Sequence, residues 1–392
     1  MKTGYKTAPL GELVENVESW NPLHSSRDKV FDYIDLSAVD QEAKVITTPR
    51  RVSCSDAPSR ARQIVFDGDV LVSTVRPNLN GVARVTQQLD GATASTGFCV
   101  LRPKEASIDG RFLFHWVKSP YFVADMVKKA TGASYPAVSD RIIFESAIPL
   151  PPLPEQGRIA AVLDKAEELR AKRRAALVEL DTITQSIFLE MFGNQAGGQT
   201  ATRPLGETVE MVTVGHVGPT SEFFCEDGIP FLRTGNVGTL EIIRSDLKRI
   251  TPEFHKRLKK SALQTGDVLV SRVISDEVRC AIVPPEFDGS NCANVIVIRP
   301  GKQMVGHYLA QLIYSPKSQA TFLQRRVGSA QSVVNTRVVQ DWKINVPRLE
   351  VQHEFARRVT AIEALKAKHR TALAELDALF ASLQHRAFSG QL

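Results

Sequence analysis

Side chains able to read nucleic acid follow an apolar run that occurs twice. Gly68 to Ser73 spells GDVLVS, and so does Gly266 to Ser271. Past the first copy stand Ser73, Thr74, Arg76, Asn78 and Asn80; past the second, Ser271, Arg272, Ser275 and Arg279. Such groups pair donors and acceptors with base edges, or meet phosphate through arginine and hydroxyl. Ordinary drift of a surface turn gives the same pattern. A second region in each half offers similar chemistry. It is Gly132-Ala133-Ser134-Tyr135 with Arg141, and Gly328-Ser329-Ala330-Gln331 with Asn335 and Arg337. Glycine admits close backbone approach, and Tyr135 could stack or pack. Either loop also fits a plain turn before a last strand. Arg141 and Arg337 match between halves, which suits a shared backbone contact or a shared structural role better than base reading.

Catalytic constellations are absent from the sequence. There is no GxxxxGK[ST] phosphate loop, no GxGxxG after a strand, no HExxH and no NPPY-like tetrapeptide. Asn21-Pro22-Leu23-His24 is a superficial echo of the last. Asp40, Glu42 and Lys44 could be forced into a nuclease pattern, but the second half has no counterpart. The eight histidines are scattered, and Cys54, Cys99, Cys225, Cys280 and Cys292 have no zinc spacing. Reduced thiols in a cytoplasmic protein are the expectation. The start, MKTGYKTAPLGEL, lacks the apolar run of a signal peptide, and no stretch is long enough to span a membrane. A net charge of +6 fits a chain that meets nucleic acid, and equally one that does not.

The elements that must position these groups are duplicated. LRAKRRAALVELD (Leu169 to Asp181) and LKAKHRTALAELD (Leu365 to Asp377) agree at nine of thirteen positions, at an offset of 196. Each sits in a predicted helix, about Pro154 to Met191 and about Val351 to Ala387. Ile159, Val162, Leu163, Ala166, Leu169, Leu177, Leu180, Ile187 and Met191 form a helical stripe in the first. Phe355, Val359, Ile362, Leu365, Leu373, Leu376, Phe380 and Leu383 form one in the second. Each helix would be about 55 Å long. Two stripes of matching length are expected to pack on each other; the alternative is that each packs on its own neighbouring domain. Lys172, Arg173, Arg174, Lys366, Lys368 and Arg370 make a mid-helix basic band, either a solvated face or a contact for phosphates or a partner.

PLGELVENV (Pro9 to Val17) returns as PLGETVEMV (Pro204 to Val212), and Ser119-Pro120 returns as Ser315-Pro316. YIDLSAVD (Tyr33 to Asp40) lines up with FLRTGNVG (Phe231 to Gly238). Gln63 to Val75 predicts two strands broken by Asp67-Gly68-Asp69, Gly97 to Leu101 another, and Ile142 to Leu150 a last one. Arg111 to Lys128 predicts two helices parted at Ser119-Pro120. Pro149, Pro151, Pro152 and Pro154 stiffen the entry to the long helix, and Gln195 to Thr202 reads as a flexible linker.

In order, the PLGEL-type start, the GDVLVS strand, the LPPLPEQ entry (Leu150 to Gln156) and the long helix resemble the DNA specificity subunits of type I restriction-modification systems. The pattern then repeats, with VPRLEVQ (Val346 to Gln352) as a weaker second entry. The resemblance covers essentially the whole chain. It implies a mixed α/β fold: two target-recognition domains separated by an antiparallel coiled coil, with pseudo-two-fold symmetry. The divisions expected are 1–152 and 204–348 for the domains, 153–193 and 349–392 for the helices, and 194–203 for the linker. It implies a non-catalytic subunit that reads a split, asymmetric duplex target with two methyltransferase subunits and with endonuclease/translocase subunits. S-adenosylmethionine, ATP and Mg2+ would belong to those partners, with no cofactor and no metal in this subunit. The coiled coil would act as a ruler, so four residues inserted near Ala176 should lengthen the unread gap. A coiled-coil scaffold that only joins proteins, and a free-standing nucleic-acid enzyme, are the competing readings.

Overall fold

Two compact units emerge from the chain: Met1–Arg174 with Thr371–Leu392, and Ala175–Arg370. The computed structural model describes residues 4–26, 29–193, 202–274, 277–324 and 332–392, and the side chains of these except at 274 and 332. The expected linker at Gln195 to Thr202 lies outside them but for Thr202.

Unit 1 holds two four-stranded sheets. One is antiparallel, in the order Val14–Glu15, Phe98–Pro103, Val70–Ser73, Val82–Arg84. The other runs Arg50–Ser53, Val30–Ile34, Thr93–Ser95, Ala61–Ile64, with the middle pair parallel. Unit 2 repeats the first sheet as Val209–Val214, Val295–Pro300, Val268–Ser271, Cys280–Ile282. Its second sheet has three strands, Lys248–Ile250, Phe224–Leu232 and Asn291–Cys292, the last two again parallel. Apolar runs buried on both faces make the central strands. Val70, Leu71, Val268 and Leu269 are fully buried.

The repeated GDVLVS has a structural cause. Gly68 (φ +91°) and Gly266 (φ +89°) turn the chain where other residues would be strained. Asp69, 2% exposed, accepts Arg102 Nε at 3.0 Å and Nη2 at 2.8 Å. Asp267 accepts Arg299 Nε at 2.9 Å and Nη2 at 2.8 Å. A buried carboxylate is tolerated because the guanidinium fork meets both oxygens.

The glutamine of each entry motif is buried too. Gln156 accepts from Asp109 N at 2.9 Å and donates to Pro151 O at 2.8 Å. Gln352 accepts from Val305 N at 2.9 Å and donates to Pro347 O at 2.8 Å. Each side chain thus ties the start of a long helix to the helix of its domain that follows the central strands, satisfying an otherwise orphaned N–H. The two domain helices of unit 1, Gly110–Val117 and Pro120–Lys129, break where the sequence predicts. Ser119 caps the second.

The long helices are Leu153–Phe192 and Leu349–Ser389. In unit 1 the early part of the first runs antiparallel to the late part of the second. Arg158 reaches Leu392 O at 2.9 Å, and Arg170 reaches Asp377 at 2.5 Å. Phe388 enters the core there, 5.4 Å from Phe112 and 5.0 Å from Trp116. Unit 2 mirrors this with the parts exchanged. Lys366 pairs with Asp181 at 2.6 Å, and Phe192 enters the core 4.7 Å from Tyr308. Each buried phenylalanine contributes about 1.5–3 kcal/mol.

Two expectations need correction. Ile142 to Leu150 is not one strand. Asp140–Phe144 is helical and only Ala147–Pro149 is strand, paired with Thr7–Pro9. Ser139 Oγ accepts from Ile142 N and starts the helix, which the apolar run alone does not reveal. Leu169 and Leu365 do not join the buried stripe, being 40% and 43% exposed; Phe188, Thr184, Lys366 and Gln384 are buried instead. The helix faces are turned toward the domain helices as well as toward each other.

Candidate nucleic-acid interface

Each unit joins its two polar regions at one place. In unit 1, Val75 bridges Ala137, Arg76 N donates to Pro136 O at 2.7 Å, and Val138 N donates to Thr74 O at 2.9 Å. In unit 2, Val273 pairs with Val333, and Val334 N donates to Arg272 O at 3.0 Å. Residues about sixty apart in sequence thus share one surface in each unit.

The side chains divide by what holds them. Ser73 Oγ donates to Val75 O at 2.9 Å, and Ser271 Oγ to Val273 O at 2.7 Å. Both hydroxyls are therefore spent on the turn that leaves the strand. Thr74 Oγ1 donates to Gly97 O at 2.9 Å. Asn335 caps the helix Thr336–Gln340, its Oδ1 accepting from Val338 N at 2.9 Å. Arg141 pairs with Glu145 at 2.7 Å and Arg337 with Asp341 at 3.4 Å, each one turn along its own helix. That match is a shared local arrangement, and both arginines stay largely exposed. Arg279 meets Glu277 at 3.4 Å, and Arg272 is half-buried. Arg76, Asn78, Ser134 and Tyr135 face solvent. The Arg76 guanidinium lies 4.9 Å from the centroid of the Tyr135 ring. Ser275, Gly328, Ser329, Ala330 and Gln331 fall outside the described residues.

Two lysines hold the unit 1 loop: Lys44, named from the sequence only within the Asp40, Glu42, Lys44 triplet, and Lys118, which the sequence did not single out. Asn80 is left-handed (φ +46°). Its carbonyl accepts Lys44 Nζ at 2.5 Å, and its amide donates to Lys118 O at 3.4 Å. Lys118 Nζ in turn meets Glu167 at 2.7 Å on the long helix. Burial pulls both lysines below the ordinary lysine range; at Lys44 the charge of Lys118 adds to the effect, and at Lys118 Glu167 opposes it. No local motif marks either lysine, since their partners come from distant segments.

The basic band is mostly paired. Lys172 meets Glu168 at 2.5 Å, Arg174 meets Asp377 at 3.5 Å, and Arg370 meets Glu241 at 3.0 Å. Lys366, 5% exposed, sits between Asp181 and Glu363. Among the described residues there is no cluster of metal-ligating side chains and no membrane-length apolar helix.

Known proteins share this architecture. The family model described as "Type I restriction modification DNA specificity domain" matches residues 36–179. The type I restriction enzyme EcoBI specificity subunit of Escherichia coli is 24% identical over 327 residues, which is 75% of this chain and 68% of that one. A solved chain from work on complex assembly and conformational transition of the type I R-M system is 25% identical. It aligns over 99% of this chain and 98% of its own, with a TM-score of 0.61. The S subunit of the type I restriction-modification system from M. genitalium has the same fold, with a TM-score of 0.60 over 98% of this chain and 96% of its own at 13% identity. With its duplicated mixed α/β units and its paired polar loops, the chain is similar to the DNA specificity subunits of type I restriction-modification systems, over most of its length in sequence and nearly all of it in fold.

Proposed function

We propose that this non-catalytic chain reads a two-part, asymmetric duplex target and directs two methyltransferase subunits and the endonuclease/translocase subunits to it. One observation carries the proposal. Arg170 pairs with Asp377, while its duplicate Lys366 pairs with Asp181, the duplicate of Asp377. Residue i meeting j′ while i′ meets j is the contact rule of a two-fold axis. It supports an antiparallel coiled coil with pseudo-two-fold symmetry, matching the symmetry of the duplex backbone. On this reading 1–152 and 204–348 are the two target-recognition domains, each serving one half-site, as half-site spacing in dimeric readers follows protein geometry.

The loops that diverge past the identical strands supply asymmetry. Base contacts come from the exposed members of each group, and phosphate contacts from the rest. S-adenosylmethionine, ATP and Mg2+ act in the partners, and the complex works in the cytoplasm. The proposal predicts neighbouring genes for a methyltransferase with an NPPY-type motif and for a large helicase-nuclease. Methylation sequencing of a host carrying all three genes tests it. A two-part motif with different halves is expected. Methylation at a single unbroken site, or none dependent on this chain, would contradict it and favour the scaffold reading.

A further inference from the structure

We propose that Arg76, laid on the ring of Tyr135, reads a guanine in the half-site served by unit 1, with Tyr135 as the positioning residue. This deepens the DNA-reading function above and rests on it.

The loop is built rigidly for one exposed cation. Arg76 is left-handed (φ +50°), a conformation that non-glycine residues seldom adopt and that concentrates at working sites. Its N–H is fixed on Pro136 O, and four residues on, Asn80 is held by Lys44 and Lys118. Between these anchors the side chain projects to solvent over Tyr135, itself 69% exposed. Among the described residues no carboxylate pairs with Arg76, whereas Arg141, Arg279 and Arg337 each have one.

A guanidinium backed by an aromatic face keeps its fork of N–H donors free. Guanine is the base that presents two acceptors, O6 and N7, side by side in the major groove. A phosphate contact would need neither the strained turn nor the aromatic backing. Past the identical strand, the position equivalent to Arg76 in unit 2 is Ile274. The contact is therefore specific to one half-site.

The test uses the full chain assembled with its methyltransferase subunits. Duplexes carrying its methylation motif compete with every single-base variant. Arg76→Asn keeps the turn, because asparagine tolerates the left-handed region. It should erase about ten- to a hundredfold of discrimination at one G·C pair of one half-site and leave the other half intact. Replacing that guanine by 7-deazaguanine should weaken the native complex and not the Arg76→Asn complex. Tyr135→Ala should relax the same position, and Tyr135→Phe should restore it. Equal weakening on all duplexes, or unchanged discrimination, overturns the assignment while leaving DNA reading in place. A native complex with no two-part motif overturns both.

Discussion

Asp69 in unit 1 and Asp267 in unit 2 do the same work with the same geometry, each gripping a single arginine through both oxygens. A few residues downstream the units part. Arg76 of unit 1 projects over an exposed tyrosine, while its counterpart in unit 2 is Ile274, in a short strand. Between these positions the serines that leave the strands, Ser73 and Ser271, still make the same turn. The duplicated carboxylates stay alike where both are buried and paired, and the units part in the loop beyond the strand. Surface identity is then free to be set by what each unit touches.

The comparison breaks most visibly at the shared residues. Asp69→Ala and Asp267→Ala each leave a largely buried guanidinium without its partner, at a cost of about 3–5 kcal/mol. Denaturant unfolding should give similar losses for both, and a large loss in only one would end the equivalence. Phe388→Ala should cost about 3–5 kcal/mol in unit 1, and Phe192→Ala a similar amount in unit 2. Hydrogen exchange resolved by peptide should show deprotection confined to unit 1 (residues up to 174 and beyond 370) for Phe388→Ala. For Phe192→Ala it should be confined to residues 175–370.

A smaller effect separates the units by pH. His115 of unit 1 is buried and 2.7 Å from Asp164, where unit 2 has Gln311. Burial pushes its pKa below the ordinary 6.5, against the pull of Asp164. The unfolded chain therefore takes up a proton that the folded unit refuses, and stability falls as pH drops through about 6.5. Asp164, held low by His115 against the opposing effect of burial, adds a further loss only at more acidic pH. His307 in unit 2 is also lowered by burial, so acid weakens that unit independently. Thermal melting of His115→Gln should show a shallower acid-side decline than the native chain; parallel curves would count against this role. The smallest effect belongs to the exchanged ion pairs. Arg170→Ala or Lys366→Ala should each cost about 1 kcal/mol or less if the pair acts as a half-exposed one. A double-mutant cycle with Asp377→Ala or Asp181→Ala measures the coupling; a buried Lys366 that couples more strongly than Arg170 would sharpen the contrast.

Much of this was legible in the residues. The duplication, both long helices, the break at Ser119-Pro120 and the GDVLVS strands follow from local patterns of spacing and turn residues. The exchange of helix ends was not, because each stripe is apolar at the same offsets and a partner cannot be chosen by periodicity alone. Ile142 to Leu150 misled because a short apolar run fits either period. Within the candidate interface, residue type placed Arg76 and Tyr135, which face solvent, among the candidates. It could not separate them from Ser73, Ser271 and Asn335, whose polar atoms are committed to turns and caps. Nor did it reveal that Lys44, named only as part of an acidic triplet, and Lys118 hold the loop, since these roles depend on contacts across 36 and 38 residues.

The length of the paired helices offers the most direct test. Four residues inserted at Ala176 and four at its duplicate Ala372 add about one turn, about 5.4 Å, to each rod. Methylation sequencing should then return the same two half-sites with the unread gap longer by one or two base pairs. An unchanged gap, or altered half-sites, would contradict the account.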